Sequence, residues 1–326
     1  MTDSDSEPVY CGVDLGGTSA KLVLGDASGR IMTEAAFPTM NDGAPDKVLP
    51  AIVDTARQMM KTEGVARLTG LGMGVPGLVD VDSGTTRFLP NLPTHWRDIE
   101  VGLQLEQQLE CDVRVMNDAR AATLGELRFG FGRQSPRASF AFFTIGTGIG
   151  GGLVIDGELR LGEFGAAGEL GHQTILPDGP MCGCGNRGCL EALASGPSIA
   201  AEGMRLMRMG LAPTLAKIVE NDLDRVTPET MNDASAEDPL VAKALRRAAT
   251  YLGIAVANVI TIVHPEAVIL GGGVSKLGTS LLEPIRKVVQ QRVGMFPTDE
   301  VLIACSRLED QAGRFGSLAL AMDSPP

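Results

Sequence analysis

Phe140-Ala-Phe-Phe-Thr-Ile145-Gly-Thr-Gly-Ile-Gly-Gly-Gly152-Leu-Val-Ile155-Asp-Gly-Glu-Leu-Arg-Leu161 is the stretch on which the fold turns, because it can be read in two ways. As a bare string, Gly146-x-Gly148-x-x-Gly151 satisfies the dinucleotide-binding fingerprint. That fingerprint works only where the glycines open a helix, whose N-terminus then holds the pyrophosphate. Here an apolar triplet, Leu153–Ile155, follows instead, and Asp156-Gly157 is a hairpin signal. The stretch therefore reads as strand 140–145, a glycine turn 146–152, strand 153–155, a hairpin turn and strand 158–161. The dinucleotide reading fails on context, and the absence of any G-x-x-x-x-G-K-[ST] string removes the P-loop as well.

The same order occurs at the N-terminus. Val9–Asp14 reads as a strand, Leu15-Gly-Gly-Thr18 as a glycine turn, Ala20–Leu24 as a second strand, and a third follows a turn at 25–29. We read this as an internal duplication, two similar halves in one chain. Between and beyond these hairpins, helical spacing is expected over 46–61, with Pro50 in the first turn, and over 99–109. It is expected again over 239–263, 281–292 and 311–322. Strands are expected over 68–75, 112–116, 267–270 and 301–306. Alternating strands and helices define an α/β protein.

Two matched glycine turns and a third run, Gly271-Gly-Gly273, expose backbone N–H groups that can hold an anion without a helix. Gly16, Gly17 and Thr18 form one turn; Gly146, Thr147 and Gly148 form the other. Asp14, at the end of the first strand, can hold the waters of a Mg²⁺ bridging two phosphates; as a turn aspartate it needs no such role.

The densest chemistry lies further on. His172, Cys182, Cys184 and Cys189 fall within eighteen residues, and half of the chain's 6 cysteines fall within the last eight of them. Three thiolates and one imidazole complete a tetrahedral set for Zn²⁺, so the metal would be structural, with no position left for catalysis. A disulfide or a chance cluster of reduced thiols is the weaker alternative. Glu169 and Glu191 flank the ligand run, one on each side.

Composition bounds the function classes. The chain has 326 residues, 44% of them hydrophobic, enough for two domains with real cores. A formal net charge of -12 and the lack of any basic run disfavour a nucleic-acid partner. No apolar stretch of spanning length exists and the N-terminus is acidic, so a cytoplasmic protein with no membrane partner is expected. One Trp and two Tyr are too few for an aromatic sugar platform, which favours a pocket built from hydrogen bonds.

In order and spacing, Asp14-Leu-Gly-Gly-Thr18, Asn117-Asp118-Ala, Gly146–Gly152, Gly168-Glu-Leu-Gly-His172, Cys182-x-Cys-Gly-x-x-Gly-Cys189-x-Glu191 and Gly271-Gly-Gly-Val-Ser275 resemble the ROK family. That family groups repressors, open-reading-frame proteins and sugar kinases. The resemblance covers about residues 9–322. It implies a two-lobed actin-like ATPase (ribonuclease H-like) fold with nucleotide and sugar in the cleft between the lobes. A small N-terminal lobe over 1–122 is expected, with a C-terminal helix in 311–326 packing back on it. A larger lobe over 123–310 would carry the zinc loop. The resemblance makes Asp118 the catalytic base and gives Gly77, Asn91, Asn117, Glu169, His172 and Glu191 to the sugar. It gives the two glycine turns to the phosphates of ATP and Gly271, Gly272 and Gly273 to the adenosine. Two departures stand out: Arg120 where the family often has Asn, and Ser19 where it commonly has Lys.

The chemistry agrees with those residue types. Phosphoryl transfer needs an acceptor hydroxyl in line with the γ-phosphate and positive potential over its oxygens. A hydroxyl of very high pKa also needs a carboxylate to take its proton. Asp118, at the end of a strand, fits that task; taken alone it reads more readily as the cap of a helix beginning near Ala119, and the ensemble of motifs favours the base. Glu169 could be a solvated charge and Glu191 a first-turn helix acid. The expected activity is phosphorylation of glucose to glucose 6-phosphate. N-acetylmannosamine, N-acetylglucosamine, fructose and allose are alternative acceptors. A sugar-sensing repressor would carry a helix-turn-helix ahead of the first strand, which here begins by residue 9. A homodimer or homotetramer is the expected assembly.

Overall fold

The computed structural model describes residues 7–39, 43–90, 92 and 94–323. Two compact units emerge. Of the described residues, the first takes those up to Pro136, then Gly157–Ala167, then those from Gln311; the second takes Arg137–Asp156 and Gly168–Asp310.

In the first unit the chain begins β1 (Val9–Leu15), β2 (Ser19–Asp26), β3 (Ile31–Pro38), α1 (Pro45–Glu63) and β4 (Gly70–Val75). A small sheet of β5 (Leu78–Asp80), β6 (Thr85–Phe88) and β7 (Ile99–Glu100) follows, then α2 (Val101–Leu109), β8 (Asp112–Asn117) and α3 (Asp118–Arg128). The main sheet has the order β3-β2-β1-β4-β8. The β1–β2 and β2–β3 pairs are antiparallel, whereas β4 runs parallel to both β1 and β8.

The second unit opens with β9 (Phe140–Ile145) and β10 (Ile149–Ile155); the short β11 (Glu158–Arg160) belongs to the first. Helices α4 (Leu190–Ala194), α5 (Gly196–Arg208), α6 (Pro213–Ile218), α7 (Pro228–Ala234) and α8 (Pro239–Val263) come next. Then follow β12 (Ala267–Gly271), α9 (Thr279–Arg292) and β13 (Leu302–Cys305). Strands β10, β9, β12 and β13 lie side by side in that order, β9–β10 antiparallel and the other pairs parallel. This is the hairpin-then-parallel order of β2, β1, β4 and β8. The duplication legible in the glycine turns thus extends to the topology.

The last helix, α10 (Ala312–Met322), packs on α3, β1 and β4. The strand Gly70-Leu-Gly-Met-Gly-Val75 explains how. Period-2 alternation sends Leu71, Met73 and Val75 into the core and leaves Gly70, Gly72 and Gly74 on the opposite face. A Cβ at Gly72 would stand 2.1 Å from the Ser317 carbonyl oxygen, and one at Gly12 would stand 2.7 Å from Leu318 N. On the other side, Gly316 lies so close to Ala121 that a Cβ would reach 1.8 Å from its carbonyl oxygen. Backbone meets backbone on both faces of this helix. Gly72→Ala is therefore expected to destabilise the protein by about 1–3 kcal/mol, the usual cost of overpacking. Urea denaturation would measure it, and an unchanged midpoint would refute the close fit.

Several elements differ from expectation for physical reasons. The α1 helix starts at Pro45, so Pro50 lies inside it and not in its first turn, at the expense of one ladder bond. Ile99 and Glu100 pair with β6 before α2 begins at Val101. The glycine turn of the second unit is shorter than 146–152, because Gly150, Gly151 and Gly152 continue β10. Position 151 within that strand admits only glycine, because a Cβ there would meet Leu170 at 2.7 Å and the Phe142 carbonyl oxygen at 2.4 Å. No described helix is long and apolar enough to cross a membrane.

Candidate functional site

The ligand atoms of His172, Cys182, Cys184 and Cys189 all lie within 4.8 Å of one another. Cys182 Sγ is 3.7 Å from His172 Nδ1, and Cys184 Sγ is 3.7 Å from Cys189 Sγ. Zinc with bonds of about 2.0–2.3 Å in a tetrahedron has ligand–ligand edges of about 3.3–3.8 Å, so these separations fit the ion. None of the cysteines is bridged. Burial pushes the Cys182 thiol up to about 12 and raises Cys189 also, while the backbone N–H of Asn186 lowers Cys184. A divalent cation reverses the effect of burial by favouring the thiolates.

With Nδ1 turned to the cysteines, His172 presents Nε2 to Glu169, whose Oε2 is 3.9 Å away. On the other side of the cluster, Glu191 opens α4, two positions after Cys189. Its Oε1 lies 3.7 Å from Cys182 Sγ, and its Oε2 accepts the Ile149 N–H at 2.9 Å. Ile149 is the first residue of β10, immediately after the glycine turn, which Gly146 N closes onto Gly148 O at 2.9 Å. Gly272, at φ +81, lies against the end of β9, where a Cβ would come within 2.5 Å of the Ile145 carbonyl oxygen. The second unit therefore gathers Glu169, His172, Glu191, the three cysteines, the turn of Gly146, Thr147 and Gly148, and the run of Gly271, Gly272 and Gly273.

The first unit gathers the remaining predicted residues. Gly16, Gly17 and Thr18 form the β1–β2 turn, with Gly17 and Thr18 exposed. Thr39 steadies it, its N donating to Thr18 O at 2.9 Å and its Oγ1 to Gly16 O at 2.9 Å. Burial raises the pKa of Asp14, opposed by the charges of Lys21 and Arg314. Gly77, at φ +150, lies where a Cβ would stand 2.3 Å from the Phe88 carbonyl oxygen. Asn91 falls outside the described residues.

At the end of β8 the structure corrects one expectation. The helix begins at Asp118, and its N-cap is Asn117, whose Oδ1 accepts from Ala119 N at 3.0 Å and Arg120 N at 3.2 Å. Capping is the work of Asn117 and does not account for Asp118, whose own Oδ1 accepts from Ala119 N at 2.8 Å. The Asn117 side chain is further held by Arg120 Nη1 at 3.2 Å and donates through Nδ2 to Gly77 O at 3.1 Å. Arg120, 1% exposed, also donates through Nη2 to Ala166 O at 3.3 Å. Sequence reasoning gave Arg120 no such positioning role; its departure from the family asparagine was the one signal available.

Residues 10–324 match the ROK family model. A glucokinase from Thermotoga maritima is 36% identical over 314 residues, covering 95% of this chain and 96% of that one. A xylose repressor from Caldicellulosiruptor bescii is 32% identical over 316 residues, covering 95% of this chain and 77% of that one. The crystal structure of a ROK family glucokinase from Streptomyces griseus, in complex with glucose and AMPPNP, superposes with a TM-score of 0.82 at 31% identity. It covers 97% of this chain and 100% of that one. Fold and comparisons define a two-lobed α/β protein of the actin-like sugar-kinase class. The chain belongs to the ROK family.

Proposed function

We propose that this chain is an ATP-dependent hexokinase that converts glucose to glucose 6-phosphate, with Asp118 as general base. The observation that carries the reading is the gathering of Glu169, His172 and Glu191 around one ligand cluster, with Glu191 bonded to Ile149 at the end of the glycine turn at 146–148. Carboxylates accept from vicinal hydroxyls in pairs, as a ring of several hydroxyls requires. Asn91, Asn117 and Gly77 complete the sugar contacts in this reading. Asn117 keeps one Nδ2 hydrogen beyond the bond it makes to Gly77. Relatives named glucokinase at 32–36% identity support the same conclusion.

Asp118 takes the proton of the attacking hydroxyl as its oxygen bonds to phosphorus. Gly16 N and Gly146 N close their own turns, on Ser19 O at 2.8 Å and Gly148 O at 2.9 Å; backbone N–H groups of Gly17 and Thr18 and of Thr147 and Gly148 hold the phosphates, and the run at 271–273 faces the adenosine. Asp14 would hold Mg²⁺ through its waters, the ion supplying neutralisation of charge on the phosphate oxygens. His172, Cys182, Cys184 and Cys189 would hold a structural Zn²⁺ that fixes the loop and has no open position for catalysis.

A coupled assay of ADP release over about ten hexoses and amino sugars tests the reading. Glucose should give the highest kcat/KM, because a site that hydrogen-bonds each hydroxyl rejects an epimer that leaves a buried carboxylate unpaired. Preference for N-acetylmannosamine would replace the acceptor and keep the kinase. Sugar binding without ADP release from any acceptor would overturn the kinase reading in favour of a sensor.

A further inference from the structure

The Ile149 N–H is an unusual donor. Ile149 is 2% exposed, yet its partner is a side chain 42 positions away, Oε2 of Glu191 at 2.9 Å. The neighbouring backbone is shaped to admit that carboxylate. A Cβ at Gly148 would stand 2.5 Å from Glu191 Oε2, so a side chain at 148 and the carboxylate in this position exclude each other. Gly171, in the turn that carries His172, closes on Ile149 from the other side: a Cβ there would stand 1.8 Å from the Ile149 carbonyl oxygen. A second tie comes from just beyond α4, where Gly196 N donates to Gly146 O at 2.8 Å. The turn is thus fastened at both ends to the segment that follows the last metal ligand.

We propose that Glu191 is a positioning residue that joins the sugar side of the site to the phosphate turn. Oε2 fixes the turn through Ile149, while Oε1 faces the cysteine loop, 3.7 Å from Cys182 Sγ, and is the oxygen turned to the sugar side. One carboxylate then serves both substrates, and ordering by either is felt by the other. For the identity of those substrates this rests on the kinase reading; the bond itself does not.

Amide-resolved hydrogen exchange in ligand-free protein tests the bond. Glu191→Gln keeps an oxygen acceptor for the Ile149 N–H and should keep its protection. Glu191→Ala should speed exchange at Ile149 on the order of tenfold or more, as expected when a hydrogen bond to a charged group is removed. Val154, in the β9–β10 ladder, is the control and should not change. Gly148→Ala, which displaces the carboxylate by bulk, should reproduce the alanine variant at Ile149. Equal protection of Ile149 in wild type and Glu191→Ala would overturn the proposal, as would equal loss in the Gln and Ala variants.

Affinity separates the bond from the kinase reading. Without sugar, AMPPNP should bind several-fold more weakly to Glu191→Ala than to Glu191→Gln. Glucose should bind more weakly to both, because Gln replaces an acceptor with a donor on the sugar side. Faster exchange at Ile149 with unaltered AMPPNP affinity would refute the coupling and remove the turn at 146–148 from the phosphate site.

Discussion

Asp118→Asn protein is expected to fold normally, to bind glucose and ATP within roughly tenfold of wild type, and to turn over on the order of 10²–10⁴-fold more slowly. Asparagine preserves size and one hydrogen bond but cannot accept a proton. The geometry of the β8–α3 junction makes the test discriminating. The cap that starts the helix is Asn117, held by Arg120 and by its bond to Gly77 O. The local bond from Ala119 N to Asp118 Oδ1 can be kept by an asparagine Oδ1. The substitution therefore keeps the cap and the Ala119 bond in place and removes basicity. Thermal denaturation should show a midpoint within a few degrees of wild type, so that lost turnover is not lost protein. Near-normal turnover by folded variant would return Asp118 to structure and leave the base unidentified.

What the sequence made legible was local. The cysteine loop announces itself because its ligands are close in sequence, and the structure brings their donor atoms within one ion's reach. The glycine hairpin at 146–152 was legible because an apolar triplet and the Asp156-Gly157 turn follow it, which only a strand explains, and the one at 15–18 because the same order repeats there. The swap at Asn117 and Asp118 was not legible. Both residue types cap helices, and only the backbone, with Asn117 extended at φ -61 and ψ 140, decides which of the two does so. The three-stranded sheet of β5, β6 and β7 escaped because strands of two to four residues carry no usable period. Arg120 and the Glu191–Ile149 bond escaped for a third reason: their partners are distant along the chain and become neighbours only after folding.

Cys184→Ser protein should lose both its metal and its sugar phosphorylation. Elemental analysis of wild type is expected to give about one zinc per chain, a four-ligand site being filled as a rule. After dialysis against a mild chelator the variant should retain almost none. Cys184 is the suitable ligand to change because it is exposed, while Cys182 and Cys189 are buried and their loss would add a packing defect. The loss of activity should reside in positioning. The ligand set already fills the coordination sphere, so no Lewis-acid step disappears with the ion. What disappears is the constraint on His172, with Glu169 against its Nε2, and on Glu191 beside Cys182. Glucose affinity should fall with kcat, and kcat/KM should drop on the order of 10²-fold, the upper range seen when groups orienting a metal site are removed. Hydrogen exchange should localise the loosening to the loop of residues 169–191. The core of the second unit, built on β9, β12 and α8, should keep its protection, because Cys182, Cys184 and Cys189 are not among its members and the loop contributes to it through Leu170, Ile175 and Leu190 alone. A metal-free preparation with full activity would break the link between the cysteine loop and the sugar carboxylates. Reduced activity with the loop still protected would place the role of the metal elsewhere than in holding Glu169 and Glu191.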